Sequence, residues 1–312
     1  MRIFNNLKIA KAYSLLCLVD EYIQESIIIL SAVLLPIKAA YFAAKILGLY
    51  EYFAYRRIQG ERIEIFLRNA NVKYDAKLIK NFYINNKKSF VEQYLLAFKG
   101  ARFIRYINAN TQINGIENIS KFIDGDKNFI CATAHFGNMY LALCKFSEYF
   151  SKREKPIKVR IIKLKYMFCD RLTEKRFRQT GFDIKFLYTD KNTVAAAIYK
   201  AILSGEKVVL LSDMDRFVRK TKFVKMNFLN HNVKIASGTA FMASKTNLPV
   251  LPIYMFDCGN NNFQLKINSP IQPYNKTISE IMIEVINDLE QEILKNPSQW
   301  HKWHRLPLFM ET

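Results

Sequence analysis

The chain has 312 residues, about two domains by length alone, although α/β enzymes reach this size around one core. Half of it is apolar (50%) and 24% is charged, which excludes both a disordered chain and a Gly-X-Y fibre. Lys plus Arg number 47 against 27 Asp plus Glu, a formal charge of +20, so its field attracts phosphate-bearing partners such as nucleic acid, anionic lipid or an acidic carrier protein.

Met1 to Asp20 starts basic and holds an apolar stretch from Ala12 to Val19. It lacks a small-residue cleavage site before Asp20 and Glu21, so no signal peptide is expected. Ser26 to Pro36 is an almost unbroken apolar run, and apolar character continues to Tyr50 interrupted only by Lys38 and Lys45. The clean run is shorter than the roughly 20 residues a spanning helix needs. The two lysines fall on one helical face, where they can snorkel to phosphates. Residues 1–50 are therefore expected to form a helical membrane-associating segment, spanning or lying flat, with a long internal helix over the sheet as the alternative. Residues 51–312 are expected to form the α/β domain.

Tyr50 to Gly115 reads as helical. From Asn128 onward strands and helices alternate: strand Phe129–Thr133, helix Asn138–Phe150, strand Lys158–Ile162, helix Tyr166–Gln179, strand Asp183–Tyr188, helix Lys191–Leu203 and strand Lys207–Ser212. That alternation implies an α/β fold whose mostly parallel sheet is flanked by helices on both faces. Beyond it lie a strand Lys222–Phe228, a helix Ala236–Thr246, a buried strand Val250–Phe256, an edge strand Gln264–Ile267 and an amphipathic helix Ser279–Leu294. The five cysteines are scattered without a CxxC pair, which argues against a disulfide framework or a zinc site and favours a reducing compartment.

Ligand sites of open α/β sheets lie beyond the carboxyl ends of the strands. Two such ends carry chemistry. Thr133-Ala-His135-Phe-Gly-Asn138 puts an imidazole at a strand-to-helix turn, with Gly137 allowing close backbone approach and the helix amino end favouring negative charge. Asp213-Met-Asp215-Arg216 puts two carboxylates and a guanidinium on a second loop. These read as a metal site, an acid/base pair, or a turn salt-bridged to Arg216. His301 and His304 stand three apart with no further Cys or His near them, so no metal is expected there. The basic run Arg216, Arg219, Lys220, Lys222, Lys225 is a solvated face or a phosphate clamp.

Asn114-Gly-Ile-Glu-Asn followed by Ala134-His135-Phe-Gly-Asn138 resembles the lipid A late acyltransferases, bacterial members of the lysophospholipid acyltransferase superfamily. Further blocks resemble that family in the same order. They are Leu211-Ser-Asp213-Met-Asp215, Phe223-Val224 with Phe228, Ser237-Gly-Thr-Ala-Phe-Met-Ala243 leading to Pro249-Val-Leu-Pro252, and Pro297-Ser-Gln299-Trp300 with His304-Arg305. The resemblance implies an acyltransferase-like αβα sandwich that moves an acyl group from a thioester of acyl carrier protein or coenzyme A to a hydroxyl of a phosphorylated, lipid A-like glycolipid. It implies work at an anionic membrane, the cytoplasmic face of the bacterial inner membrane, without metal or cofactor. Nucleic acid is not expected as a partner, because no motif supports it.

The resemblance makes His135 the base, with Asp213 or Asp215 supporting the base or an arginine. Substrate-binding candidates are Asn138, Arg160, Arg176, Asp215 and Arg216, and the backbone near Gly238 would serve the oxyanion. One departure stands out. The family carries Asp or Glu five positions after the histidine, and this chain has Tyr140. A phenol stabilises an imidazolium poorly, so Tyr140 becomes a candidate catalytic position, with Asp213, Asp215 and Glu148 as possible replacements for the carboxylate. An altered acyl group, an altered acceptor and lost activity all follow as options, as do aminoacyl transfer to lipid A and an inactive, partner-binding relative.

Overall fold

Ile130-Cys-Ala-Thr133 is buried at every position, and only a strand covered on both faces permits that. The computed structural model describes residues 7–123, 127–150, 156–163, 166–189, 193–214 and 222–310. Its helical first third comprises α1 (Leu7–Leu34), α2 (Ile37–Tyr55), a π-helical turn Arg56–Gly60, α3 (Glu61–Asn69), α4 (Ala76–Lys99) and α5 (Ala101–Ala109). Then follow β1 (Thr111–Asn114), α6 (Ile116–Ile123), β2 (Ile130–Thr133), α7 (Met139–Phe150), β3 (Ile157–Lys163), α8 (Asp170–Arg178), β4 (Phe182–Tyr188), α9 (Val194–Leu203) and β5 (Lys207–Leu211). The last third holds β6 (Phe223–Phe228), β7 (His231–Ala236), α10 (Gly238–Thr246), β8 (Val250–Gly259), β9 (Asn262–Ile267), α11 (Ile278–Lys295) and 3-10 turns at Pro297–Gln299 and Trp303–Leu308.

Among the described residues seven strands form one sheet in the order β1-β9-β8-β2-β5-β3-β4. The block β8-β2-β5-β3-β4 is parallel throughout, and β9 joins β8 antiparallel. The two-residue periodicity of strands sends alternate side chains into two cores. Cys131, Val209, Leu251 and Met255 enter a cluster with helices α4, α5, α7 and α8. Ile130, Val208, Leu210 and Tyr254 enter a second cluster with α9, α10 and α11.

Two strands depart from the sequence expectation. Thr111–Asn114 pairs parallel with β9, so β9 lies inside the sheet and β1 takes the edge. Thr-Gln-Ile-Asn holds one apolar residue, too few to show a period. His231–Ala236 pairs antiparallel with β6 around a turn in which Leu229 and Asn230 both have positive φ, the backbone twist that two-residue hairpins favour.

Pro36 separates α1 from α2, as expected where a ring replaces a backbone donor. The pair has two faces. Ile28, Ala32, Ala40, Tyr41 and Ala44 are buried in the core cluster, whereas Tyr22, Ile23, Leu30, Leu34, Phe42 and Phe53 are exposed. Lys38 and Lys45 are exposed too. No helix among the described residues is long and apolar enough to cross a membrane.

Helix α4 ties this region to the sheet through one buried carboxylate. The Tyr41 hydroxyl donates to Glu92 at 3.0 Å and Asn138 Nδ2 donates to it at 2.9 Å. Burial, aided by the charge of Asp257, pushes the Glu92 carboxyl up to about 8 against the opposing Asn138 and Tyr41 hydrogen bonds and the Lys88 charge. A folded value above the unfolded one favours the fold at low pH, and the advantage is lost as pH rises from the unfolded value of 4.5 through about 8. Glu92→Gln should therefore gain stability over the native chain on going from pH 5 to pH 9. Urea unfolding at the two pH values checks this, and a pH-independent difference would refute it.

Candidate active site

The register of two strands builds the site. Thr133 of β2 lies level with Leu211 of β5, and the Ser212 amide donates to the Thr133 carbonyl at 2.7 Å. Both strands therefore end together, bringing the His135 loop beside Asp213, where the sheet's ligand end is expected.

The loop after β2 is clamped residue by residue. Phe136 is fully buried, edge-on to Tyr254 and Phe256. Gly137 has φ +57°, and a Cβ added there would sit 1.7 Å from the Met255 carbonyl oxygen, so no other residue fits without moving the strand. Asn138 caps α7, its Oδ1 accepting the Tyr140 amide at 3.0 Å while Nδ2 donates to Glu92 and to the Ser89 carbonyl. From the other side the Gly137 amide donates to the Gln299 carbonyl, and the His301 amide donates to the His135 carbonyl.

His135 and Asp213 meet within this frame. Nδ1 lies 2.8 Å from Asp213 Oδ1, and the carboxylate side chain is fully buried while the imidazole is 32% exposed. Asp213 Oδ2 also accepts the His135 backbone N–H and the Trp300 indole N–H, each at 3.0 Å. Burial raises the Asp213 carboxyl, but the charge and hydrogen bond of His135, the Lys302 charge and the Trp300 indole outweigh it and hold the group below its ordinary value. An ionised acceptor on Nδ1 requires the proton there, which leaves the Nε2 lone pair free on the accessible side of the ring. The other histidines are built differently. Burial lowers His231, His301 to about 3 and His304 to about 4, so near neutrality they are uncharged.

The amino end of α10 borders the same loop. The Ala236 amide donates to the Met214 carbonyl, and Ser212 Oγ meets Thr239 Oγ1 at 3.2 Å. A side chain added at Gly238 would meet nothing within 4 Å, so the first turn of α10, whose amides lack intrahelical partners, has open space beside it at that position.

The remaining candidates go elsewhere. Tyr140 is buried in the core cluster, edge-on to Phe186 with ring centroids 6.1 Å apart. Lys163, paired with Asp170 at 2.6 Å, lies 5.9 Å from its ring centroid. Burial, with the charge of Asp170 nearby, keeps the phenol neutral by pushing it well above its ordinary value. Among the described residues no hydrogen bond joins it to His135. Arg160 is not at the site. It is buried, 2.6 Å from Glu206 and donating to the Asp183 carbonyl toward the amino ends of the strands, so its charge is neutralised locally. Arg176 donates from the last turn of α8 to the Ala97 carbonyl near the end of α4, a terminal carbonyl that α4 cannot satisfy itself. Asn138 is engaged as the cap described above, and Glu148 pairs with Lys145 on the surface. Asp215 and Arg216 lie outside the described residues. The donor that spacing could not single out is Trp300, 87 positions from Asp213. Its only trace in the sequence is membership of the Pro-Ser-Gln-Trp block.

The model of the family described as bacterial lipid A biosynthesis acyltransferase matches residues 22–307. A crystal structure similar to this chain is that of the 1-acyl-sn-glycerophosphate acyltransferase of Thermotoga maritima, 15% identical, covering 83% of this chain and 96% of that one with a TM-score of 0.40. No protein of curated function matches the chain.

Because Asp213 already occupies Nδ1, a carboxylate at position 140 is not needed to orient the ring. Tyr140→Phe should shift stability by less than about 1.5 kcal/mol and leave turnover within a few-fold, since the packing volume is kept. Tyr140→Glu should cost several kcal/mol, about the penalty for a buried, poorly paired charge, and compete with Asp170 for Lys163. Thermal melts and turnover of both variants test this. A faster Tyr140→Glu protein with an unchanged melting temperature would contradict it.

Proposed function

The chain belongs to the family of bacterial lipid A biosynthesis acyltransferases, and from that premise we propose that it carries an acyl group from a thioester of acyl carrier protein or coenzyme A to a hydroxyl of a phosphorylated, lipid A-like glycolipid. The His135–Asp213 pair at the level ends of β2 and β5 carries this reading. Nε2 removes the proton of the acceptor hydroxyl as its oxygen attacks the thioester carbonyl. The oxyanion that forms is served by the amino-terminal amides of α10 around Gly238. When the tetrahedral species collapses, the C–S bond breaks and the thiolate leaves, taking up the proton from the imidazolium. Asp213 stabilises that imidazolium in the interval, the task assigned elsewhere in the family to the carboxylate that Tyr140 replaces.

The bilayer is the expected workplace. The exposed apolar face of α1 and α2, with Lys38 and Lys45 beside it, and the +20 charge support docking on an anionic surface, the cytoplasmic face of the inner membrane, by burial of apolar area plus attraction to lipid phosphates.

His135→Ala should lower acyl transfer at least about a hundredfold, and Asp213→Asn by up to about 10⁴, with the His135→Ala fold intact. Mass spectrometry of lipid extracts from cells with and without each variant is the readout, and unchanged acylation in His135→Ala cells would sink the proposal. Co-sedimentation with phosphatidylglycerol-containing liposomes should weaken as salt rises and fall further when Phe42 and Phe53 are both changed to Ser. Absence of binding at low salt would remove the membrane from the account.

A further inference from the structure

Trp300 belongs to the core cluster on one side of the sheet. It is fully buried, yet its indole N–H ends on the carboxylate that orients the base. We infer that Trp300 is a positioning residue for acyl transfer, acting through Asp213 to set both the orientation and the basicity of His135. The inference rests on the reading of His135 as base and Asp213 as its partner.

Three aromatic walls fix the direction of that N–H. Phe228 and Trp303 meet the indole edge-on, with centroids 5.5 Å and 5.1 Å away, and Phe309 lies tilted at 6.4 Å. The backbone is fixed as well. Phe136 and Trp300 form an antiparallel bridge, framed by the Gly137–Gln299 and His301–His135 hydrogen bonds. One short segment therefore holds the main chain of the histidine loop and the side chain of its carboxylate partner together. With Oδ2 taking both the Trp300 indole and the His135 backbone N–H, the carboxylate cannot turn, and Oδ1 stays on Nδ1.

The same hydrogen bond weakens the carboxylate as a base. Removing it concentrates negative charge on Asp213 and takes the positive end of a dipole away from the imidazole, and both changes favour the imidazolium. Among the described residues, the other titratable groups around the pair are His301 and Lys302 on the C-terminal segment and Tyr254 on β8. Burial keeps His301 uncharged and Tyr254 a neutral phenol near pH 7, so on that segment the Lys302 charge and the indole N–H are what help hold Asp213 ionised.

The test is direct titration of the His135 imidazole by NMR in histidine-labelled protein, its signal assigned by loss in His135→Ala. Trp300→Phe should raise the measured value by about half to one unit and move the acid limb of kcat/KM up with it. With a long-chain acyl-coenzyme A donor and a bis-phosphorylated lipid A precursor, kcat should fall about tenfold or more while KM changes little, because Trp300 has no exposed surface. In an Asp213→Asn background the same substitution should cost almost nothing further in rate. If phenylalanine leaves too large a gap to fold, 3-benzothienylalanine at position 300 keeps the indole shape and removes only the N–H. Ile63→Ala, on α3 and fully buried in the same cluster, serves as the packing control and should lower the melting temperature without moving the titration. An unshifted His135 titration in the isosteric variant, or an undiminished rate loss in the Asp213→Asn background, overturns the inference. Full activity in His135→Ala would instead overturn the reading beneath it, so the two failures are distinguishable.

Discussion

A carboxylate with no exposed surface has to be satisfied by the protein, and Asp213 is the point on which the rest of the site depends. Among the described residues its donors are the ring and the backbone of His135 and the indole of Trp300. They reach it from the end of β2 and from the C-terminal segment, 78 and 87 positions away in sequence. Left without them, a buried anion would cost several kcal/mol. The β2–β5 register, the Gly137 approach to β8 and the wrapping of Gln299 to His301 around the loop are the means by which those donors are held. Folding and preorganisation are thus one problem here, since the hydrogen bonds that make Asp213 tolerable also fix the tautomer and aim of His135.

On the proposed reading of the site, this geometry makes a carboxylate at position 140 dispensable. A histidine that receives its carboxylate from the neighbouring strand does not need another from the first turn of its own helix. Position 140 then faces the cluster around Phe186, where a ring packs well and a charge is penalised. The side chain that the family resemblance marks as an altered catalytic group sits among core residues. In the proposed mechanism the charge it would have supplied enters from the loop after β5.

The amino-terminal helices divide their labour by face. One stripe of α2 closes the core through Tyr41 and Ala44 and reaches Glu92, which in turn holds Asn138 at the foot of α7. The opposite stripe remains apolar and exposed at Phe42 and Phe53. A helix apolar on both sides reads in one dimension as a membrane segment, and in three as a layer that seals the sheet while keeping a second apolar face.

Sequence periodicity alone determined the parallel sheet, because strands buried on both faces leave unbroken apolar runs between amphipathic helices, and it placed His135 at a strand end. It also marked the chemistry that was missing, since a tyrosine where a carboxylate is expected is visible without coordinates. Which carboxylate meets the imidazole was undecidable there: Asp213 and Asp215 are two positions apart, and the choice depends on strand register and loop path. Arg160 shows the same limit, since a positive charge on a strand looks like a phosphate clamp until Glu206 is found against it. The four-residue β1 and the reach of Trp300 to Asp213 were likewise left to the tertiary structure. Local pattern reports what each residue can do, whereas pairings between residues 78 or 87 positions apart arise from how the sheet closes and how the C-terminal segment folds back across it.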